Sequence, residues 1–336
     1  MRYRMKHPLA IIISGGILAG TVLGMLLIGS AAIDLRIIAS VLVKQIFPAV
    51  STTEIPSAVE KIIWNIRWPR IALALLVGSS LAVSGACYQA MFRNPLADPF
   101  ILGVSSGAAL GAAIAIVFKL TSYISFFAFL GGITAIFIVY GLGRVKGGGI
   151  NTNQLLLAGV AFGSMLNAIL SLIMVLHTQQ IGAILFWLLG SLSNPPASLV
   201  LIAGMVAAGM AVIMLYVRDL DIMTAGEENA QFLGVDVVKV KVILLLSTTL
   251  ITSVVVAVSG VIGFIGLIVP HLLRKIVGPQ HHLLIPLCAL WGAIFLLWAD
   301  GITRMVNPLA QVPVGVITAL LGSPFFLYIL YSSGRK

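Results

Sequence analysis

An all-α membrane protein with many transmembrane helices is the fold class that the sequence predicts. Three observations carry that prediction. Of the 336 residues, 60% are hydrophobic and only 9% are Asp, Glu, Lys or Arg, against about 25% charged residues in a soluble domain. The apolar residues come in runs long enough to cross a bilayer. The basic residues fall between those runs, so the net charge of +10 reflects membrane topology rather than nucleic-acid binding.

A spanning helix needs about 20 apolar residues. The first run, 8–29, follows "MRYRMK" and has the look of a secretory signal. It is longer than the roughly 7–15 residues of a signal core, so a retained helix is expected rather than cleavage at Ser30–Ala32. Further runs occupy 71–90, 100–118, 124–142, 155–176, 198–217, 283–299 and 313–331. The stretch from Val240 to Leu273 is 34 residues long. As one helix it would measure about 51 Å, against a hydrocarbon core of about 30 Å. It must fold back, and "VSGVIG" (258–263) supplies the glycines for the break. Ile181–Leu192 is apolar but only 12 residues long, which suits an interfacial or re-entrant piece.

The expectation is one transmembrane domain over 1–336 with ten spans and both termini on one side. With the termini inside, 13 basic residues lie on the inner side and 7 on the outer, five of those seven in one outer loop, 30–70. The positive-inside rule makes the inner side cytoplasmic. Trp64, Trp68, Trp187 and Trp298 then gather at the outer interface, where amphipathic rings prefer to sit. No span carries a charge in its interior, and Asp300 is expected just past the end of the ninth. That excludes an intramembrane proton relay and a charged selectivity ring.

The stretch "RNPLADPFILGVSSGAALGA" (93–112) interrupts the apolar pattern. A phosphate loop would need G-x-x-x-x-G-K-[ST] after a strand, and neither is present. Gly103, Gly107 and Gly111 are four apart, which puts them on one helix face and predicts a packing seam. Gly78, Ala82, Ala86 and Ala90 repeat the pattern, as do Gly16, Gly20 and Gly24. Asn94-Pro95 ends one helix, and Asp98 with Pro99 is expected to cap the next.

The longest inner loop, 218–241, contains "TAGEENAQFLGV". Thr224 and Glu227 fit a capping box, and Gly234 fits a helix stop. A helix of about nine residues is marginal alone in water. It needs a neighbour, either this chain's own inner face or a soluble partner. "RWPR" (67–70) at the outer face reads either as arginines snorkelling from a helix end or as a basic patch for an acidic partner. Cys87 and Cys288 sit in apolar runs and read as small core residues. His271, His281 and His282 lack any Zn-site spacing.

Several blocks resemble one family. "RWPRIALALLVGSSLAVSGACYQAMFRNPLADPFILGVSSGAALGA", "AGEENAQFLGV", "GFIGLIVPHLLRKIVGP" and "QVPVGVITALLGSPFFLYIL" are similar, in that order, to the blocks of FecCD-type permeases. These are membrane subunits of type II ABC importers for iron–siderophore chelates, haem and vitamin B12.

The resemblance implies the type II importer fold and a bacterial or archaeal cytoplasmic (inner) membrane. The partners it implies are a second permease subunit, as a homodimer, two ABC ATPase subunits, a periplasmic or lipid-anchored substrate-binding protein and the membrane lipid, with no nucleic acid. This chain would bind no cofactor and perform no catalysis, because ATP and Mg belong to the ATPase. On the same basis, Ala225, Gly226, Glu227, Glu228, Ala230, Phe232, Leu233 and Gly234 align with the ATPase-coupling helix. Arg67, Arg70 and Arg304 align with outer arginines that dock the binding protein. Asn94 and Leu96 align with one cytoplasmic gate, and Thr152 and Asn153 with a second. A secondary carrier or channel working without an ATPase is the rival expectation.

Overall fold

The computed structural model describes residues 7–29, 33–46, 56–144, 151–306 and 312–333. Six of the basic residues in the charge count, Arg2, Arg4, Lys6, Lys146, Arg335 and Lys336, lie outside them, as does Ser30–Ala32.

Helices follow one another along the chain: α1 (His7–Leu27), α2 (Leu35–Ile46), α3 (Ser57–Lys61), α4 (Trp68–Met91), α5 (Val104–Val117), α6 (Ile124–Gly143), α7 (Thr152–Leu176) and α8 (Ile181–Leu188). Then come α9 (Leu199–Leu215), α10 (Val217–Thr224), α11 (Glu227–Phe232), α12 (Val237–Ser259), α13 (Ile265–Val277), α14 (His281–Val306) and α15 (Val314–Ser333). Among the described residues, six helical stretches are long and apolar enough to cross a membrane, or seven if α9 and α10, bent by 52°, count as one span. The helices α5 and α15 are apolar but shorter.

Every apolar run named from the sequence lies on a helix. The doubled run breaks after Ser259, and Gly260, at φ 70°, turns the chain between α12 and α13. A side chain there would strike the carbonyl of Trp187, so glycine answers both backbone conformation and space. Three expectations need correction. Residues 30–70 are not simply a loop, because α2 lies within them and α3 continues through a π-helical turn (Ile62–Arg67) into α4 as one stretch of 35 residues. Asp98 does not cap α5: that helix starts at Val104 behind Gly103, and Asp98 instead accepts the N–H of Phe100 in a preceding turn. Thr224 and Glu227 make no capping box, because the Thr224 hydroxyl donates to the carbonyl of Asp221 and Gly226 heads α11 without a side-chain cap.

The core forms where backbones meet. The span through α4 is 78% buried and that of α12 is 72% buried, whereas α1 and α7 are each 22% buried. So α4 and α12, with α14 at 61%, are the centre, and α1 and α7, with α6 at 28%, the periphery. Gly78 and Gly292 face each other at the α4–α14 crossing, and Gly85 faces Gly266 of α13. Gly107 and Gly111 of α5 abut the carbonyls of Gly131 and Phe127 on α6. Gly103, with φ 80°, faces Gly159 and Gly163 of α7 instead. Small residues permit these approaches, and in lipid such packing replaces the hydrophobic drive as the source of cohesion. Gly16, Gly20 and Gly24 of α1 behave differently from the sequence expectation, because among the described residues nothing lies within 4 Å of a Cβ placed there.

These geometries predict opposite outcomes for two glycine substitutions. Gly85→Val puts a branched side chain on the Gly266 backbone and should cost about 1–3 kcal/mol or more, read as a lower thermal unfolding midpoint in detergent. Gly16→Ala meets no neighbour and should leave the midpoint unchanged or raise stability by about 0.5–1 kcal/mol, since alanine holds a helix better than glycine.

Candidate functional site at the two membrane faces

The sequence-predicted residues gather at opposite ends of the bundle. At one end, α4 and α14 bring Arg70 and Arg304 onto a single carboxylate. Asp300 is fully buried, inside α14 rather than beyond a span as expected. Arg70 Nε lies 2.9 Å from Asp300 Oδ1 and its Nη2 lies 2.7 Å from the same oxygen. Arg304, one helical turn after Asp300, donates to Oδ2 through Nε at 2.9 Å and through Nη2. Its Nη1 also donates to the carbonyls of Met25 and Ile28. Arg67 is 4% exposed and donates to the carbonyls of Leu26 and Leu27.

Together, Arg67 and Arg304 satisfy carbonyls at the C-terminal end of α1, which have no partner within the helix and carry its negative dipole. Asp300 thus pairs with two guanidiniums, those of Arg70 and Arg304. The Arg67 guanidinium lies against the end of α1. Arg70, with a side chain 20% exposed, is the more accessible of the Asp300 pair.

At the other end lie the two predicted gates and α11. The turn after α4 closes with Arg93 at φ 47°, while Asn94 N–H reaches back to the carbonyl of Gln89. Asn94 Oδ1 accepts the N–H of Leu96, whose side chain stands 40% exposed. Burial pushes the nearby Asp98 carboxyl up to about 6, against the lowering effect of the Phe100 N–H. Asn151 caps α7 by accepting the N–H groups of Asn153 and Gln154, which places Thr152 and Asn153 in its first turn. Among the described residues, no hydrogen bond joins the Asn94–Leu96 turn to Thr152 or Asn153.

Helix α11 is a short platform. Ala230 is fully buried, whereas Phe232 and Leu233 are 90% and 71% exposed. Glu228 and Ala225 are exposed as well. Gly234, at φ 85°, ends the helix as expected, its N–H bonding Gln231 while Val235 N–H bonds Ala230. Glu227 does not point outward with Phe232. Its carboxylate is 2.7 Å from the ammonium of Lys241. Beneath the platform, Asp221 accepts the backbone N–H of His281 at 2.9 Å and pairs with its Nδ1 at 2.6 Å. Burial alone would raise the Asp221 pKa, but these bonds hold it below the ordinary carboxylate value.

Four features escaped the sequence. Asp300 was placed outside the helix that buries it. Lys241 was counted only as a topology signal. Asp221 was one charge in a loop. The fourth is a polar stripe on α7. Ser164, Asn167 and Ser171 are exposed and share one face of that helix. Each serine hydroxyl bonds a carbonyl one turn back, but the Asn167 amide makes no bond among the described residues. An amide facing hydrocarbon is costly, so this face suits water or another chain. The spacing of three and four inside an apolar run was the available signal. Among the described residues, no group of three or more His, Cys, Asp or Glu could hold a metal ion.

Long apolar helices, a polar stripe on a loosely packed span and an exposed apolar platform in a short helix are the features of a multi-pass membrane protein. The chain belongs to the FecCD transport family, whose model matches residues 17–332. It is 44% identical to the cobalamin import system permease protein BtuC of Halobacterium salinarum over 82% of this chain and 75% of that protein. It is 42% identical to the hemin transport system permease protein HmuU of Yersinia pestis over 80% of this chain and 83% of that one. A solved structure described as an inward-facing conformation of a metal-chelate type ABC transporter superposes with a TM-score of 0.82. The two are 29% identical, and the match covers 97% of this chain and 99% of that one.

The outer node yields a stability prediction. Asp300→Asn removes the carboxylate from two largely buried guanidiniums and should cost about 3–5 kcal/mol, seen as a large fall in thermal midpoint in detergent. The polar stripe yields an access prediction. A cysteine replacing Asn167 should react with a membrane-impermeant thiol reagent in the assembled protein, whereas the buried Cys87 and Cys288 should stay silent.

Proposed function

We propose that this chain is the permease subunit of an ATP-driven, binding-protein-dependent importer for a metal chelate. The observation that carries the reading is a family match along nearly the whole chain, joined to relatives that are permeases for cobalamin and hemin. In this reading ten segments cross the membrane: α1, α4 with its preceding turns, α5, α6, α7, α9, α12, α13, α14 and α15. An even number returns both termini to the same side, and the basic-residue asymmetry makes that side cytoplasmic. Helix α8, at eight residues, does not cross.

Two copies pair and leave the path between them, with the α7 stripe on its wall. No charge sits on that stripe, which suits a bulky chelate that must leave as readily as it enters. Cobalamin, haem and iron–siderophore complexes are all cargo of this kind. Selectivity then belongs to the binding protein, which docks at the outer end near Arg70 and Arg304. Two ATPase subunits engage α11 from the cytoplasm. They hold ATP and Mg, and this chain binds neither. The platform supports that assignment, because Phe232 and Leu233 stand exposed in a helix too short to be stable alone. Asn94, Leu96, Thr152 and Asn153 close the cytoplasmic mouth when the bundle rocks.

Reconstitution tests this reading. Proteoliposomes holding the chain with its ATPase and loaded binding protein should take up cobalamin, haemin or ferric citrate only with ATP. Phe232→Asp should weaken ATPase association about tenfold or more, as loss of a buried aromatic anchor does. Uptake without the ATPase would replace the importer by a carrier.

A further inference from the structure

Lys241 is a lysine with almost no water. Its side chain is 6% exposed, and it lies one turn into α12, one of the most buried helices. Its ammonium donates to two groups: Glu227 Oε1 at 2.7 Å and Thr152 Oγ1 at 3.2 Å. Glu227 is the first residue of α11, and Thr152 is the first residue of α7. One buried cation therefore joins the starting residues of two helices that the sequence separates by 75 positions.

The three helices differ in how firmly they are held. The span of α12 is 72% buried and that of α7 only 22%. Helix α11 has six residues between Gly226 at φ 131° and Gly234 at φ 85°, so its two ends are turns and its position rests on what it touches. The core helix is thus a post, and the two others lean on it through one ammonium. A buried cation that loses its carboxylate is strongly disfavoured. If α11 moves, Lys241 must follow Glu227, and its bond to Thr152 must stretch or break. If α11 stays, the first turn of α7 is held.

We propose that Lys241 is a positioning residue that transmits displacement of α11 to the first turn of α7. This rests on the importer reading above, in which the ATPase presses on α11 and α7 lines the path. The bond to Thr152 gives the proposal its direction. It makes the mouth of the path respond to the platform through two side-chain bonds, without requiring the core to repack.

The test uses the assembled complex of permease, ATPase and binding protein in proteoliposomes, with cobalamin, haemin and ferric citrate as probes. ATP hydrolysis and uptake are measured in the same vesicles. A cysteine replacing the exposed Gln154 reports on the first turn of α7 through its rate of reaction with an aqueous thiol reagent. In the parent, that rate should differ by at least about fivefold between nucleotide-free and nucleotide-trapped states, the low end of typical coupling strengths.

In Lys241→Met, the difference should shrink below about twofold while ATP hydrolysis continues, and chelate moved per ATP should fall about tenfold. Lys241→Arg should retain most of the coupling. The reversed pair, Glu227→Lys with Lys241→Glu, should recover part of what Lys241→Met loses. Thr152→Val, which keeps the volume and removes the hydroxyl, should reduce the Gln154 response without lowering hydrolysis.

Full coupling in an assembled Lys241→Met complex overturns the relay and leaves the importer reading intact. Where Lys241→Met fails to assemble, the reversed pair and Thr152→Val decide: full coupling in Thr152→Val, or assembly without any coupling in the reversed pair, overturns it. A parent complex without ATP-driven uptake overturns the importer reading and the relay with it.

Discussion

Backbone-to-backbone contact at glycine is the constraint on which the rest of this structure depends. In lipid, one apolar side chain is as comfortable against acyl chains as against its neighbour, so burying leucines does not hold helices together. What holds them is close approach, and close approach needs positions without a Cβ. The pairs Gly78–Gly292, Gly85–Gly266 and Gly107–Gly131 supply it between α4 and α14, α4 and α13, and α5 and α6. Remove any one and the helices must separate by the width of a methyl group or more. Each of these crossings also sets where a functional residue lies. The α4–α14 contact holds Arg70 within reach of Asp300 and Arg304.

Charge is used sparingly and at the ends. Asp300, with Arg67, Arg70 and Arg304, ties α4 and α14 to the final carbonyls of α1. Asp221 ties α10 to the start of α14 through His281. Lys241 ties α12 to α11 and α7. Each of these contacts answers a backbone end or another charge that the bilayer could not accept. Inside the bundle α4 and α12 meet through hydroxyls, as in the Ser84–Thr252 bond.

Much of the fold was legible in one dimension because hydropathy and length are local properties. The folded-back run at 258–263 follows from bilayer thickness alone, and the Gly107–Gly111 face from a spacing of four. Partnership is not local, and there the reading failed. Gly16, Gly20 and Gly24 have the same spacing as Gly103, Gly107 and Gly111, yet among the described residues nothing approaches them. Periodicity reveals a face that can be approached, not whether a helix arrives. Asp98 and Thr224 failed for a related reason, because cap residues and turn residues are the same chemical types. Asp98 bonds within a turn two residues on, and Thr224 bonds back to Asp221. Lys241 was invisible because the same residue serves as a positive-inside marker and as a buried bridge. Only burial distinguishes the two roles.

The uneven burial of the helices says how such a subunit moves. A bundle in which every helix shared the core could change shape only by repacking, and well-packed interiors resist that. Here α4, α12 and α14 carry the core, while α1 and α7, like α6, expose most of their length. The exposed face of α1 is apolar, with Leu9, Ile12 and Leu23 outward, and lipid can cover it. The exposed face of α7 carries Asn167 between two serines and lipid cannot cover it cheaply. The two peripheral helices therefore have different surroundings. Helix α1 is fastened at its end by Arg67 and Arg304, whereas α7 is fastened at its start by a neutral hydroxyl to a single lysine. In the importer reading, displacement of the first turn of α7 would stretch the Lys241–Thr152 bond while the glycine contacts stay closed.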